Sequence, residues 1–365
     1  MSYRKSNLRI TVKPHKTVKT YKPHKTLNRK KKLVWQLPAL ALLIIGTVLI
    51  IRQQQSMPYQ HDKGMIFGTF YSITYQHDKN LKKEIEAELQ KVDNSLSPFN
   101  KKSIISAINR NEQTEIDQMF LEVFDLAKQI SKDTDGAFDI TIAPLVNAWG
   151  FGFKNDCPPT KHAVDSLRQF IGFDKVSLVG KGIRKSDPRV MLDCSAIAKG
   201  YGSDVVARYL LSLGIKNFMV EIGGEIVTKG ISPKRLPWKI GVEKPVDDSL
   251  AQEKGFQTVL DITDIAMATS GNYRNFYYKD GKKYAHTIDP KTGYPVQHSI
   301  LSATVLCKEC ARADAYATSF MVMGLEKAKE VLARHKDMKA YIIYDDNGKY
   351  KVWQSEGLTT DAAAR

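Results

Sequence analysis

The chain has 365 residues, room for one large domain or two modest ones, and a formal charge of +16. Twelve Lys or Arg residues and no Asp or Glu fall in residues 1–33, which leaves only +4 for everything that follows. So light a charge on the body argues against a nucleic-acid binder, and the basicity belongs to a tail.

The tail repeats KPHKT at 13–17 and 22–26. So charged and proline-broken a run cannot bury enough apolar surface to fold. Residues 34–51, VWQLPALALLIIGTVLII, carry no charge and reach the short end of a membrane span. Basic flanks stay on the cytoplasmic side, so the expected arrangement is a single-pass anchor in the inner (cytoplasmic) membrane. The tail 1–33 would lie inside and the body outside, with the tail also placed to meet anionic lipid headgroups. A cleaved signal peptide is the alternative, against which stand a long apolar run and no obvious small-x-small site. No cysteine follows the run to carry a lipid.

Residues 52–63 are polar and read as a linker. GMIFGTFYSITY (64–75) alternates and is rich in aromatic and β-branched residues, so it reads as a strand. Leu81, Ile85, Leu89, Val92 and Leu96 recur at helical spacing, as do Ile116, Met119, Phe120, Val123, Phe124, Ala127 and Ile130. The stretch 135–152 is apolar, glycine-marked and irregular. A helix is expected from Ser195 as N-cap to Gly214 as stop. Strands follow near 218–222, 238–243, 258–262, 265–269, 283–288 and 301–306, then helices near 312–323 and 325–335, then strands near 339–344 and 349–353. Without a regular βαβ beat, this order gives an α+β class with mixed, largely antiparallel sheets and packed helices, behind one N-terminal transmembrane helix.

Four stretches place polar residues where an ordinary core would be apolar. In Ala137-Phe138-Asp139 the carboxylate must find a partner or face a ligand, or it caps the turn into ITIAPL. In Asp193-Cys194-Ser195-Ala196-Ile197-Ala198-Lys199-Gly200-Tyr201 a helix start beside a lysine suits an anion such as phosphate, or is simply a capped helix with a surface lysine. Glu221-Ile222-Gly223-Gly224-Glu225 has paired glycines that let backbone approach a ligand, or make a plain turn. Asp314 and Thr318, four apart on an expected helix, share a face and suit a hard cation, although such pairs are common. Cys157, Cys194, Cys307 and Cys310 include a C-K-E-C pair, readable as a disulfide or inert pair, as structural thiols or as a redox motif.

Together and in this order these stretches resemble the ApbE-type FAD:protein FMN transferases. The resemblance runs from Gly64 to about Trp353. It rests on GTFYSI, DGAFDITIAPLVNAWGFG, AIAKGYGSD, EIGGE, TSGNYRNFY, HTIDPKTGYP and ADAYATSFMVMG. It implies an ApbE-like, T-fold-related catalytic domain over 64–355 with a short tail at 356–365. It also implies a Mg²⁺-dependent enzyme that splits FAD and joins FMN by a phosphoester to a Thr or Ser of an acceptor protein, releasing AMP. The expected acceptor is a membrane-associated redox protein. Position by position, FAD contacts fall on Phe67, Phe99, Ala137, Phe138, Asp139, Asp193, Lys199 and Ile288. Metal ligands fall on the Ala196 carbonyl, Asp314 and Thr318, and His286 belongs to the site near the phosphates or the incoming hydroxyl. Phe67 stands where methionine is usual, Phe99 where Tyr or Trp is common, and Cys194 where a plain apolar residue is usual. The competing readings are an FAD pyrophosphatase giving FMN and AMP, and an exported flavin-binding protein without turnover. An intact Asp314 and Thr318 pair argues against the last.

Overall fold

The computed structural model describes residues 28–152, 158–245, 255–272, 276–279, 282–297, 299–358 and 360–361. The chain divides between Met57 and Pro58 into two units. In the first, α1 (Asn28–Ser56) is one helix with Pro38 inside it. Its described side chains are those of residues 36–50 and 52. The consecutive Leu42, Leu43, Ile44 and Ile45 are all more than half exposed. At about 100° per residue they make the helix apolar on every side. Among the described residues no helix is long and apolar enough to cross a membrane. Most of the basic tail, residues 1–27, lies outside the described residues.

The body opens with β1 (Tyr59–Ile66) and β2 (Thr69–Gln76), an antiparallel hairpin. The sequence reads one strand from 64 and a linker before it, whereas the structure has a strand already at Tyr59. The turn explains the difference. Phe67 and Gly68 both take positive φ, 52° and 72°, as a two-residue hairpin turn requires, but only the glycine announces it in sequence. Then come α2 (Lys82–Leu96), α3 (Ile104–Asn109), α4 (Gln118–Asp133), α5 (Ala143–Ala148), α6 (Lys161–Arg168) and the small hairpin β3 (Val176–Val179) and β4 (Gly182–Lys185). Next are α7 (Ala198–Ser212), β5 (Phe218–Ile222), β6 (Glu225–Lys229), β7 (Trp238–Glu243), β8 (Phe256–Ile262) and β9 (Ala266–Gly271). The chain ends with β10 (Phe276–Lys279), β11 (Lys282–Ala285), β12 (Ile300–Cys307), α8 (Cys310–Met323), α9 (Leu325–Arg334), β13 (Lys339–Asp346), β14 (Lys349–Gln354) and β15 (Thr360–Asp361).

Eight strands form one sheet in the order β1-β2-β5-β6-β9-β12-β13-β14, each pair antiparallel. Alternation along its central strands builds two cores. Ala268, Ala303, Val305, Ala340 and Ile342 face the helices, where α8 supplies Ala313, Ala317, Phe320 and Met321. Met267, Leu306, Tyr341 and Ile343 face the other way, against Trp238, Ile240, Leu260 and Ile262 of the smaller sheet β15-β8-β7. Strands covered on both faces read as nearly continuous apolar runs, as these do. The fold is thus α+β with mostly antiparallel sheets and packed helices. Among the described residues every buried hydrophobic side chain lies at Tyr71 or beyond. Removal of residues 1–55 is therefore expected to leave a soluble, folded body with unchanged thermal unfolding and FAD binding. Loss of FAD binding by a folded truncated protein would contradict this.

A polar latch ties the helical layer together. Asp133, at the end of α4, accepts hydrogen bonds from Tyr316 Oη (2.8 Å), His335 Nε2 (2.8 Å) and Arg334 Nη2 (3.1 Å). Burial alone would raise the Asp133 carboxyl, but the bonds from Tyr316, His335 and Arg334 pull it below its ordinary range. A depressed folded pKa adds stability above the unfolded value, and this is lost as pH falls through the folded one. Asp133→Asn should cost roughly 2 kcal/mol at pH 7. In chemical denaturation the gap to wild type should narrow below about pH 4.

Candidate functional site

A cleft of about 410 Å³ lies where α7, α8, the end of β9, the β5–β6 turn and the segments 137–152, 191–196 and 286–290 converge. Its chemistry begins with two helices that cap each other. Neither α7 nor α8 has a side-chain cap from its own N-cap residue, Ile197 or Glu309. Asp204 of α7 instead accepts the N–H groups of Cys310 and Ala311, both at 2.8 Å. In return Asp314 Oδ2 of α8 accepts the Gly200 N–H at 3.1 Å. Carboxylates are favoured at helix N-termini, where unpaired N–H groups and the dipole meet them. Ser195, expected as the cap of α7, is not the cap. The helix starts at Ala198, and the Ser195 N–H is bonded to Asp193 Oδ1 (2.7 Å) in the turn before it.

Gly200 makes this exchange possible. A Cβ there would stand 2.4 Å from the Cys310 carbonyl oxygen, so only glycine lets the helix starts cross so closely. The Gly200 N–H is aimed at Asp314 instead of the Ala196 carbonyl four residues back. Ala196 lies on the cleft wall.

Lys199 Nζ donates to Glu225 Oε1 (2.6 Å) and lies 3.9 Å from Asp314 Oδ2. Burial alone would push this ammonium towards neutrality, but Asp314 and Glu225 outweigh it and hold it charged. Burial pushes the Glu225 and Asp314 carboxyls up, and Lys199 opposes that shift at both. Two carboxylates against one ammonium leave this wall short of positive charge. Asp314 and Thr318 share the cleft-facing side of α8, as their spacing predicts, and Thr318 Oγ1 is 2.9 Å from Ser270 Oγ at the end of β9.

The cleft has an apolar lining as well. Phe138, Ile140, Ile142 and Ile288 line it, with Phe99, 62% exposed, at the rim. Ile288 also packs with Leu145, Trp149 and Val164. Asp139 combines both roles considered for it. Its Oδ1 accepts the Thr141 N–H (2.8 Å) and hydroxyl (2.7 Å), closing the turn into ITIAPL, and the residue lines the cleft. The loop after His286 closes on itself through Asp289 N–H to the Tyr294 carbonyl (2.9 Å) and Gly293 N–H to the Asp289 carbonyl (2.7 Å). His286 stands on the cleft wall, its ring edge-on to Phe151 at 6.4 Å between centroids.

Phe99, Ala137, Phe138, Asp139, Asp193, Ala196, Lys199, His286, Ile288, Asp314 and Thr318 are therefore brought to one cavity. Phe67 is not among the cleft-lining residues. Its ring covers Gly202 of α7, where a Cβ would meet it at 2.8 Å, and it packs between two core clusters. Sequence reasoning missed Glu225, quoted only for the glycines before it, Ser270 and Asn147, which lie unremarked inside TSGNYRNFY and DGAFDITIAPLVNAWGFG, and Asn109, which lies in no motif. Asn109 bonds the Leu192 backbone both ways (2.7 and 2.8 Å) and so fixes the strand-like segment ahead of Asp193.

Among the described residues no cluster of three or more His, Cys, Asp or Glu side chains could hold a metal ion. Cys194, Cys307 and Cys310 are buried free thiols, and Cys157 lies outside the described residues. Cys307 Sγ donates to the Glu309 carbonyl (3.1 Å) and Cys310 Sγ to the Met267 carbonyl (3.6 Å). Burial pushes the Cys307 thiol up to about 12. These three thiols should resist thiol reagents in the native protein and react only on unfolding. Mass-resolved labelling before and after denaturant checks this.

Residues 67–342 match the ApbE family. The FAD:protein FMN transferase of Vibrio cholerae is 39% identical over 299 residues, covering 79% of this chain and 88% of that one. That of Escherichia coli K12 is 33% identical over 307 residues, covering 80% and 86%. Among solved structures, flavin transferase ApbE from Vibrio cholerae superposes with a TM-score of 0.75 at 37% identity, covering 82% of this chain and 98% of that one. Flavinyl transferase ApbE of Pseudomonas stutzeri superposes with a TM-score of 0.73 at 29% identity, covering 82% and 95%.

Proposed function

This chain belongs to the ApbE family, and from that premise we propose that it is a transferase that moves FMN from FAD to a protein, with a Thr or Ser hydroxyl as the acceptor. The observation that carries this reading is a single cleft lined both by the charged and polar Lys199, Asp314 and Thr318 and by the apolar Phe138 and Ile288. A flavin nucleotide has the same two-sided chemistry.

In the proposed reaction the hydroxyl oxygen attacks the FMN-side phosphorus of the pyrophosphate. A new P–O bond forms as the phosphoanhydride bond to AMP breaks, and AMP leaves. His286 takes the hydroxyl proton, a role suited to an imidazole on the cleft wall. Lys199 meets the phosphate oxygens and holds the charge that departs with AMP. Phe138 and Ile288 pack on the flavin, and Phe99 covers it at the rim.

Asp314, Thr318 and the Ala196 carbonyl offer only oxygen donors, the set a hard divalent cation takes. The excess of carboxylate beside Lys199 favours a cation there. Mg²⁺, when bound, supplies charge neutralisation at the pyrophosphate. The proposal extends to place. The uncharged run 34–51 inside α1 anchors the chain in the inner membrane, the basic tail stays in the cytoplasm, and the body faces a membrane-associated redox acceptor outside. A reporter fused after Arg365 that works only in the cytoplasm would contradict this arrangement.

AMP release from FAD, followed with an acceptor peptide carrying Thr and with the same peptide carrying Ala, tests the activity. Transfer requires release that depends on the hydroxyl. Equal release with both peptides would make the protein an FAD pyrophosphatase.

A further inference from the structure

We propose that Glu225 is a substrate-binding residue of the cleft: its Oε1 holds Lys199, and its Oε2 accepts a hydrogen bond from a hydroxyl of a bound reactant. The inference rests on the transferase reading above.

Glu225 follows the Gly223-Gly224 turn, whose residues take φ of 63° and 100°, and is 2% exposed. Three contacts fix it. Oε1 accepts from Lys199 Nζ at 2.6 Å, and its carbonyl accepts from Ser203 Oγ of α7 at 3.0 Å. Its backbone pairs with Ile222 across the hairpin. Oε2, by contrast, is buried and makes no hydrogen bond of normal geometry, the residue's own backbone N–H acting on the carboxyl only as the weakest of the influences on it. A carboxylate oxygen in that position has lost its water and gained little, an arrangement that folding alone disfavours. It becomes sensible when a ligand supplies the missing donor.

The surroundings say which donor. Gly223 and Glu225 both line the cleft; a Cβ on Gly223 would lie 3.4 Å from Oε2 but only 2.8 and 3.0 Å from the Thr69 side chain, so Thr69 closes that side and a ligand reaches Oε2 from the cleft. Lys199, the nearby cation, is already engaged by Oε1. Asp314 stands 3.9 Å from the same ammonium, so this corner already holds two carboxyl groups to one cation and offers a phosphate oxygen little attraction at Oε2. A neutral O–H donor fits. The reactants carry such donors in two places, the sugar and ribityl hydroxyls of FAD and the Thr or Ser hydroxyl of the acceptor.

The test compares wild type, Glu225→Gln, Lys199→Met and the double variant, with FAD affinity from flavin fluorescence and kcat and KM for a Thr-bearing peptide. If the hydroxyl belongs to FAD, Glu225→Gln weakens FAD binding roughly ten- to hundredfold and leaves KM for the peptide in place. If it belongs to the acceptor, FAD affinity holds while kcat/KM for the peptide falls by that factor, and acceptor-free AMP release does not. In either case the loss persists in the Lys199→Met background, because Oε2 acts directly. A loss that disappears there would overturn the proposal and reduce Glu225 to a holder of Lys199. So would a folded Glu225→Gln protein whose values stay within about twofold of wild type. If that variant does not fold, Glu225→Asp keeps the charge, withdraws both oxygens by one methylene, and is judged by the same outcomes. Wild type that neither binds FAD nor releases AMP would instead defeat the transferase reading itself.

Discussion

Asp314→Ala is expected to slow AMP release by on the order of 10²–10³ while FAD still binds. The carboxylate is 3% exposed on α8, in the cleft, 3.9 Å from Lys199. If it ligates the cation, its loss removes a full negative charge from the metal site and leaves the pyrophosphate poorly neutralised as the bond to AMP breaks. The apolar wall at Phe138 and Ile288 is untouched, so the flavin should still dock. High Mg²⁺ should restore part of the rate. Asp314 also caps α7 through the Gly200 N–H, and losing a cap costs about 1 kcal/mol. Asp314→Asn separates the two roles. It keeps an oxygen for Gly200 and should be more stable than Asp314→Ala, yet nearly as slow. Initial rates against Mg²⁺ that superimpose on wild type would refute the metal assignment.

Gly200→Ala should be the most damaging small substitution in the helical layer. Helix propensity alone favours alanine by about 1 kcal/mol. Against this, the new Cβ would sit 2.4 Å from the Cys310 carbonyl oxygen and 2.9 Å from the Ala311 Cα. Both are backbone atoms at the start of α8 and cannot rotate away. Overpacking of this kind costs about 3 kcal/mol or more, so the clash wins. Separating α7 from α8 also draws Gly200 away from Asp314, and Cys310 and Ala311 away from Asp204. Transfer should therefore fall together with thermal stability. A variant as stable and as active as wild type would show that the helices do not cross as described.

Much of this was legible in the chain. The stripes of α2 and α4 and the strands β5, β7, β8, β9 and β11 to β14 follow from periodicity, whereas β6 and β10, the partners in the hairpins with β5 and β11, do not. The i,i+4 placement of Asp314 and Thr318 on one face also follows from sequence. What escaped has a physical reason in each case. The β1–β2 hairpin hides behind Phe67, a bulky residue in a left-handed conformation. The sequence starts α7 two residues early, with Ser195 and not Ile197 as N-cap, because its cap comes from Asp314, more than a hundred residues away. Glu225 reads in sequence as the residue after a turn. Only the fold buries its carboxylate against Lys199.

The most direct measurement is the intact mass of a Thr-bearing acceptor polypeptide after incubation with the protein, FAD and Mg²⁺. The account predicts an increase of one FMN less water, localised to the threonine, with one AMP released per modified chain, and both products forming more slowly with Asp314→Ala by on the order of 10²–10³. Free FMN and AMP beside an unmodified acceptor, or intact FAD, would contradict it.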